Sequence, residues 1–234
     1  MPKVEVCLSP QLIHLFDLKG KIAVVVDILR ATTCMTTGIA HGVAEIKPVA
    51  TLEECRKLKG MGYFTAAERD GQKVDGFDIG NSPFSYMEDK FKGNKVATTT
   101  TNGTLAITKS TDADEVIVGS FLNLSTVAGY LKSQGKDVVI HCAGWKGNYS
   151  LEDTLFAGVL YELLQQDFES DSDAAHSALT IYKAAKGKLL ETVLESSHAK
   201  RLEKHNIIKD IEFCVKQDVY DVIPVLKNGS LVKK

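Results

Sequence analysis

Short apolar runs rich in valine and isoleucine alternate along the chain with segments of helical periodicity. Seven runs predict strands near 3–8, 22–27, 45–50, 62–67, 95–99, 115–119 and 137–142, and an eighth is expected near 219–226. Between them, "TLEECRKLKG" at 51–60 and the leucine and valine spacing at 122–131 predict helices. Apolar strands alternating with helices are typical of a largely parallel sheet covered on both faces. The pattern therefore predicts an α/β fold, a three-layer α/β/α arrangement with a largely parallel or mixed central sheet.

From 150 to about 205 the pattern changes to long helices. Leu151, Leu155, Gly158, Val159 and Leu163 form one apolar stripe, and helical spacing continues through "DSDAAHSALTIYKAAKGKLLETVL". The polar stretch 166–173 is interpreted as a loop between helices, because the sequence has no Pro/Gly linker, internal repeat or low-complexity tract. With 234 residues, 44% of them hydrophobic, the chain suffices for one substantial core. We expect a single α/β domain over 1–234.

Composition and charge exclude several classes of partner. The net charge of -2 leaves no basic excess for binding nucleic acid. The longest apolar run, 22–28, is far shorter than the ~20 residues of a membrane helix, and the amino terminus lacks the pattern of a signal peptide. Five cysteines without a Cys-x-x-Cys pair predict buried thiols rather than disulfides or a zinc site. A cytoplasmic protein is expected, and its oligomeric state, including a homo-oligomer, stays open.

Nearly every predicted strand ends in polar or small residues. If the strands run parallel, these ends share one edge of the sheet, which is where open α/β sheets bind ligands. Carboxylates there could hold a metal ion, and arginines, hydroxyls and free backbone amides could hold an anion. The residues concerned are Asp27, Arg30, Thr32, Thr33, Glu68, Arg69, Thr100, Thr101, Asn102, Gly103, Ser120 and Gly144.

These residues also have purely structural interpretations. The threonines at 98–101 could be strand formers followed by a helix cap. Asp27 could pair with Arg30 instead of a metal, since a buried carboxylate is not left unpaired. Glu152 and Asp153 fall in the first turn of a predicted helix, where the helix dipole alone favours carboxylates. Because they follow a glycine-rich strand exit, a metal-binding or catalytic-base role is equally open.

The segment 67–83 is rich in charges and glycines and ends at a predicted helix start. Asn81 and Ser82 precede a proline, a combination typical of the first turn of a helix. By itself this segment would be an exposed loop. Next to a strand end it could instead fold over the cleft and supply Glu68, Arg69 or Asn81.

Several well-known phosphate and hydrolase chemistries do not match the sequence. A Cys-x5-Arg loop fails because Asn148 lies six residues after Cys142, and an Asp-x-Asp motif fails because Leu29 lies two residues after Asp27. The chain has no Gly-x4-Gly-Lys-Ser/Thr, no Gly-x-Gly-x-x-Gly after a strand, no Gly-x-Ser-x-Gly and no histidine pair at metal spacing. Nucleotide-driven and serine-hydrolase mechanisms are thereby disfavoured.

Four separated blocks, in order, carry a family resemblance. They are "VDILRATTC" at 26–34, "ERDGQKVDGFDIGNSP" at 68–83, "TTTNGT" at 99–104 and "CAGWKGNYSLEDTLFAG" at 142–158, with further similarity in "SDAAHSAL" at 172–179 and "DVIPVL" at 221–226. Together they resemble the 2-phosphosulfolactate phosphatase family, a distinct class of magnesium-dependent acid phosphatases. The resemblance implies a single α/β domain, a Mg²⁺ cofactor and hydrolysis of the phosphate ester of a 2-hydroxy-3-sulfonate acid to sulfolactate, a step associated with coenzyme M biosynthesis.

Two positions depart from the family pattern. The loop 67–71 carries Asp70 where the pattern usually has glycine, and Leu105 stands where a basic residue often follows the Thr-Asn-Gly-Thr block. An added carboxylate and a missing cation would both weaken binding of a triply anionic substrate. Both departures concern the choice of substrate and leave the expected class of reaction unchanged.

The residues and the resemblance together give a set of expected roles. Magnesium takes one or two carboxylates, with water and substrate phosphate completing ~6 positions, so the candidate carboxylates cannot all be ligands. One left over would orient or deprotonate the attacking water. The metal candidates are Asp27, Glu68 and Asp153, and the catalytic candidates are Asp27, Glu152 and Asp153, with Asp153 favoured over Glu152. The substrate-binding candidates are Arg30, Thr32, Thr33, Arg69, Asn81, Ser82, Thr100, Thr101, Asn102, Gly103 and Gly144.

An alternative function is a non-catalytic protein that binds an anionic sulfonate or phosphate metabolite. Carboxylates lining its cleft would repel such a ligand unless a cation neutralised them. This difference favours the enzyme.

Overall fold

The computed structural model describes residues 1–69, 71–203 and 207–234. All seven firmly predicted strands are confirmed within one ten-stranded sheet. The strands are β1 Val4–Cys7, β2 Ile22–Val26, β3 Glu45–Pro48, β4 Tyr63–Arg69, β5 Gln72–Lys73, β6 Lys95–Thr99, β7 Glu115–Gly119, β8 Val138–Cys142, β9 Pro224–Lys227 and β10 Ser230–Lys233.

The carboxyl-terminal strand begins later than the predicted range 219–226. The segment before it bonds to a short helical turn instead of joining a ladder: Tyr220 N donates to the Leu122 carbonyl at 2.8 Å, and Asn123 Nδ2 donates to the Val222 carbonyl at 2.9 Å. β9 and β10 then form a hairpin through Asn228 and Gly229, which both have positive φ. Asn-Gly is the preferred sequence for such a turn. This dipeptide therefore indicates a hairpin, although the apolar pattern did not predict β10.

Helices occupy the intervals between strands. They are α1 Ala31–Ala40, α2 Leu52–Lys59, α3 Gly103–Lys109, α4 Leu124–Gln134, α5 Leu151–Leu164, α6 Asp173–Ala185, α7 Leu189–Leu194, α8 Ser197–Glu203 and α9 Ile208–Cys214. The predicted helical region and the loop between its first two helices are confirmed. The predicted stripe on α5 is confirmed at Leu155, Gly158 and Val159 but not at Leu163, which is 37% exposed. Burial also extends beyond the stripe to Glu152 and Asp153, because α5 packs against α4, α6 and the sheet.

The sheet order is β1-β8-β2-β7-β9-β10-β3-β6-β4-β5. β1, β8, β2 and β7 form one parallel set, β3, β6 and β4 form another, and the β9–β10 hairpin joins them through three antiparallel ladders. An odd number of antiparallel ladders reverses direction, so the two parallel sets run oppositely along the sheet. The premise that one uniform parallel order brings the strand ends together is therefore wrong.

The carboxyl ends of β2 and β6 nevertheless meet. A Cβ on Gly103, the first residue of α3, would lie 2.7 Å from Ala31 Cβ and 2.9 Å from Asp27 Oδ2. The turns that follow β2 and β6 are therefore in contact, although the two strands belong to oppositely directed parallel sets.

Helices cover both faces of the sheet, as the three-layer prediction requires. α1 and α3 pack on one face with residues of β2, β3, β6 and β7, and α4, α5 and α6 pack on the other. All five cysteines are buried and free, which confirms the prediction of buried thiols. In the described ranges no helix has the length and hydropathy needed to cross a bilayer.

Candidate active site

A pocket of about 240 Å³ lies where β2, β4, β6 and β8 end, and α8 covers one side of it. The polar character predicted for these strand ends is concentrated here. Its walls are formed by Asp27, Leu29, Arg30, Glu68, Gly71, Asn81, Thr100, Thr101, Asn102, Trp145, Lys146, His198, Arg201 and Leu202.

Asp27 ends β2 and lies at the buried side of this pocket, with 7% of its surface exposed. Its Oδ1 accepts a hydrogen bond from Ala31 N at 3.3 Å, at the amino terminus of α1. Burial raises the pKa of Asp27 to about 6; the charge of His198 lowers it, while Glu152 and Glu68 raise it. The carboxyl group therefore changes charge near neutral pH, in a place where other carboxylates crowd it.

Glu68 and Arg69 end β4 but face different surroundings. Glu68 lines the pocket, and its Oε1 accepts a hydrogen bond from Gly71 N. Arg69 donates to the Glu68 carbonyl at 2.6 Å and to Thr99 O and Oγ1 at 3.4 Å. Arg69 thus braces β4 against β6 and is absent from the pocket walls. Asp70, the departure from the family pattern, lies outside the described residues.

The threonine turn after β6 contributes both to the pocket and to its support. Thr100, Thr101 and Asn102 line the pocket. Thr100 Oγ1 accepts from Thr104 N at 3.2 Å, and Asn102 Oδ1 accepts from Lys146 N at 2.9 Å, which ties this turn to the loop after β8. The close contact of Gly103 with Asp27 leaves no room for a side chain. Thr100 therefore supports the start of α3 and also lines the pocket.

Arg30 lines the pocket while 4% exposed, and its Nη1 forms an ion pair with Asp210 of α9. Ser82 Oγ donates to the other oxygen of Asp210 at 3.1 Å. The carboxylate that holds Arg30 therefore comes from α9, and the Asp27–Arg30 salt bridge considered from the sequence is not among the ion pairs of the described residues. Ser82 supports Arg30 through Asp210 and does not itself line the pocket.

Two threonines that were expected to bind substrate instead form hydrogen bonds with the backbone of the β2–α1 turn. Thr32 Oγ1 accepts from Asp27 N and donates to Asp27 O, each at 3.0 Å. Thr33 Oγ1 donates to Ile28 O at 2.9 Å. Both residues are fully buried and lie outside the pocket walls. They fix the turn that carries Asp27.

Asp153 braces two strand exits. Its Oδ1 accepts from Ile28 N at 2.9 Å and its Oδ2 from Gly144 N at 3.0 Å, so both oxygens already have donors. Burial, together with Glu152 and Asp27, holds the pKa of Asp153 well above its usual range. Because Asp153 also lies outside the pocket walls, the geometry favours Asp27 and Glu68 over it as metal ligands. The amide of Gly144 donates to Asp153, whereas the sequence analysis predicted that Gly144 contacts the substrate.

Glu152 points to a different partner from its neighbour. Its Oε1 lies 2.8 Å from His198 Nδ1. The sequence analysis had considered Glu152 as a metal ligand or a catalytic base. Burial disfavours the ionised form, but the hydrogen bond and charge of His198 outweigh it and lower the pKa of Glu152. The helix start at Ser150 is confirmed, since its side chain accepts from the amide of the third helical residue.

Four charged or aromatic lining residues were not identified from the sequence: Trp145, Lys146, His198 and Arg201. The Arg201 guanidinium lies 3.7 Å from the centre of the Trp145 ring, and Lys146 Nζ lies 4.8 Å from it. Arg201 Nη2 is buried and has no hydrogen-bond partner among the described residues. Trp145 and Lys146 are part of the block at 142–158, but His198 and Arg201, three residues apart on α8, carried no recognisable motif.

The donor chemistry of the pocket fits a hard cation such as magnesium. Among the described residues no three His, Cys, Asp or Glu side chains cluster as a complete metal site. Magnesium often takes only one or two carboxylates and fills its other positions with water and substrate phosphate. Asp27 and Glu68 provide two carboxylates on one pocket, and Glu68 raises the pKa of Asp27, a crowding of negative charge that a cation relieves.

Fold and pocket define an α/β protein with a polar pocket between strand ends and a covering helix. The model of the 2-phosphosulpholactate phosphatase family matches residues 7–229, and the chain belongs to this family.

Relatives agree over nearly the whole length. The chain is 43% identical to a probable 2-phosphosulfolactate phosphatase of Caldanaerobacter subterraneus over 219 residues, covering 91% of this chain and 90% of the relative. It is 41% identical to the protein of that name from Thermotoga maritima, covering 92% of each. For the protein of that name from Clostridium acetobutylicum the identity is 36%, over 98% of this chain and all of the relative.

Proposed function

We propose that this chain is a magnesium-dependent phosphoric monoester hydrolase that converts 2-phosphosulfolactate to sulfolactate and phosphate. The observation that carries the proposal is one pocket in which two carboxylates, Asp27 and Glu68, lie beside the cations Arg30, Lys146 and Arg201. Family membership supports the substrate, since the relatives bear that name. A role in coenzyme M biosynthesis belongs to the same proposal and rests on the resemblance alone. The cytoplasmic location that we propose with it rests on the sequence pattern.

The substrate carries phosphate, carboxylate and sulfonate groups, and the pocket offers a partner for each. Asp27 and Glu68 would hold the magnesium ion at the phosphate end, next to Thr101 and Asn102 of the threonine turn. Arg30, fixed by its buried ion pair, can grip a second anionic group with two parallel hydrogen bonds. Arg201 is stacked on the indole ring, and one of its buried nitrogens has no hydrogen-bond partner among the described residues, so it is suited to the third group, the sulfonate.

Phosphoryl transfer demands positioning and charge neutralisation more than covalent chemistry. When bound, magnesium would supply neutralisation of the charge on the transferred phosphoryl group. Asp27, the buried carboxylate at the end of the pocket, would orient the attacking water and accept its proton. Glu68 would share the ion with Asp27, and Thr100 would hold the turn in place through its bond to Thr104.

The test is phosphate release from three esters: 2-phosphosulfolactate, 2-phospholactate and p-nitrophenyl phosphate, each with magnesium or with EDTA. We expect release that EDTA abolishes and magnesium restores, with the highest kcat/KM for the sulfonated ester. Asp27→Asn should abolish release, and Asp112→Asn, a change of an exposed carboxylate, should not. Ester binding that is indifferent to EDTA and yields no phosphate would identify the non-catalytic binding protein instead.

A further inference from the structure

His198 lies between the pocket and the buried first turn of α5. Its side chain is 16% exposed and forms part of the pocket wall with Asp27, while its Nδ1 lies 2.8 Å from Oε1 of Glu152. Glu152 is 1% exposed. The histidine therefore faces a buried carboxylate on one side and the pocket on the other.

The pair contains a carboxylate that is buried and only partly hydrogen-bonded among the described residues. Burying a carboxylate is costly unless it is paired, and Glu152 Oε2 has no hydrogen-bond partner among the described residues. His198 Nδ1 provides a partner for one oxygen of this buried carboxylate. An ionised carboxylate on Nδ1 fixes the orientation of the ring and leaves Nε2 as the nitrogen for proton exchange.

The proposed reaction needs a proton donor that the roles assigned so far do not supply. Cleavage of an aliphatic phosphate ester releases an alkoxide, a strongly basic leaving group that departs readily only when protonated. Arginine and lysine hold their protons too tightly at neutral pH for this task, and Asp27 is engaged with the attacking water. Among the described residues of the pocket wall, His198 is the side chain suited to give a proton there.

We propose that His198 is the general acid of the reaction and that Glu152 is its positioning residue; this inference rests on the proposed function. As water attacks phosphorus, its proton passes to Asp27. The bond between phosphorus and the bridging oxygen breaks, and its electron pair goes to that oxygen, which takes the proton from Nε2 of His198. Sulfolactate leaves with a neutral hydroxyl group, and proton exchange with solvent returns Asp27 and His198 to their starting states.

The test compares two esters that differ in their need for a proton. p-Nitrophenolate is a weak base and leaves without protonation, whereas the alkoxide of 2-phosphosulfolactate does not. In His198→Gln we expect kcat to fall roughly 10²–10⁴-fold for 2-phosphosulfolactate and less than about tenfold for p-nitrophenyl phosphate. Glu152→Gln should also lower kcat more for 2-phosphosulfolactate than for p-nitrophenyl phosphate, with smaller losses than His198→Gln. His176→Gln, on the exposed side of α6 and outside the pocket, is the matched control and should leave both rates unchanged.

Equal losses on both esters, or no loss on either, would overturn the assignment, and thermal melts of each variant identify a loss that comes from misfolding. If His198→Gln does not fold, His198→Asn and Glu152→Gln carry the same comparison. A wild-type protein that hydrolyses neither ester refutes the proposed function itself and the assignment with it. A wild type that is active while His198→Gln shows no split refutes the acid role alone.

Discussion

Replacing Asp27 with asparagine should abolish turnover and yet stabilise the metal-free protein. Burial raises the pKa of Asp27 from 3.8 to about 6, so the folded protein holds this proton more tightly than the unfolded chain. Between these two values the native state binds more protons, and stability falls as the pH rises. Above the folded pKa the full penalty is present, and below about pH 4 it is absent.

The size of the effect follows from the shift. About two pKa units at about 1.4 kcal/mol each give a penalty on the order of 3 kcal/mol at neutral and higher pH. Asparagine cannot ionise, and its carbonyl can still accept from Ala31 N. For a protein of this size each kcal/mol moves Tm by about 2–4 °C, so Asp27→Asn should melt about 6–12 °C above wild type.

The assay is thermal unfolding in EDTA at about pH 7.5 and about pH 4, where the penalty is respectively full and nearly absent. The gain should shrink at the lower pH, and Asp112→Asn, the exposed control, should gain at neither. Magnesium should raise the Tm of wild type more than that of Asp27→Asn, because the ion relieves the crowding that the substitution removes. An Asp27→Asn protein that melts at or below wild type at both pH values would refute the reasoning.

Three further substitutions test separate parts of the account. Cys142→Ser should keep most turnover in the phosphate assay, because burial holds the pKa of this thiol well above its usual range and the group is no nucleophile. Gly144→Ala should lower stability in thermal melts by on the order of 2 kcal/mol or more, since its φ is 58° and a Cβ would lie 2.2 Å from Asn148 O. Arg201→Gln should lower kcat/KM roughly 10–100-fold for the sulfonated ester while leaving p-nitrophenyl phosphate little changed.

The parts of the fold that the sequence predicted are those set by local pattern. The strands from β1 to β8, except the two-residue β5, are apolar runs, and the start of α5 carries a capping serine, so each is encoded within a few residues. The relative direction of the two parallel sets of strands is not encoded locally. It depends on where the β9–β10 hairpin inserts, a contact between residues far apart in the chain.

The candidate site shows the same division. Asp27, Glu68 and the threonine turn stand at strand ends, which the sequence marks. His198 and Arg201 reach the pocket only because α8 folds back over it, and their neighbours in sequence form no motif. The hydrogen bonds of Asp153 were not predictable in the same way, since its carboxylate accepts from two backbone amides that lie far from each other in the chain.

The most direct measurement is phosphorus NMR of 2-phosphosulfolactate incubated with the protein and magnesium, which follows the ester and inorganic phosphate in one sample. The account predicts that the ester signal is replaced by inorganic phosphate over many turnovers, that EDTA stops the conversion, and that Asp27→Asn leaves the ester intact. An ester signal that shifts or broadens on binding while no phosphate forms, with magnesium present, would contradict it.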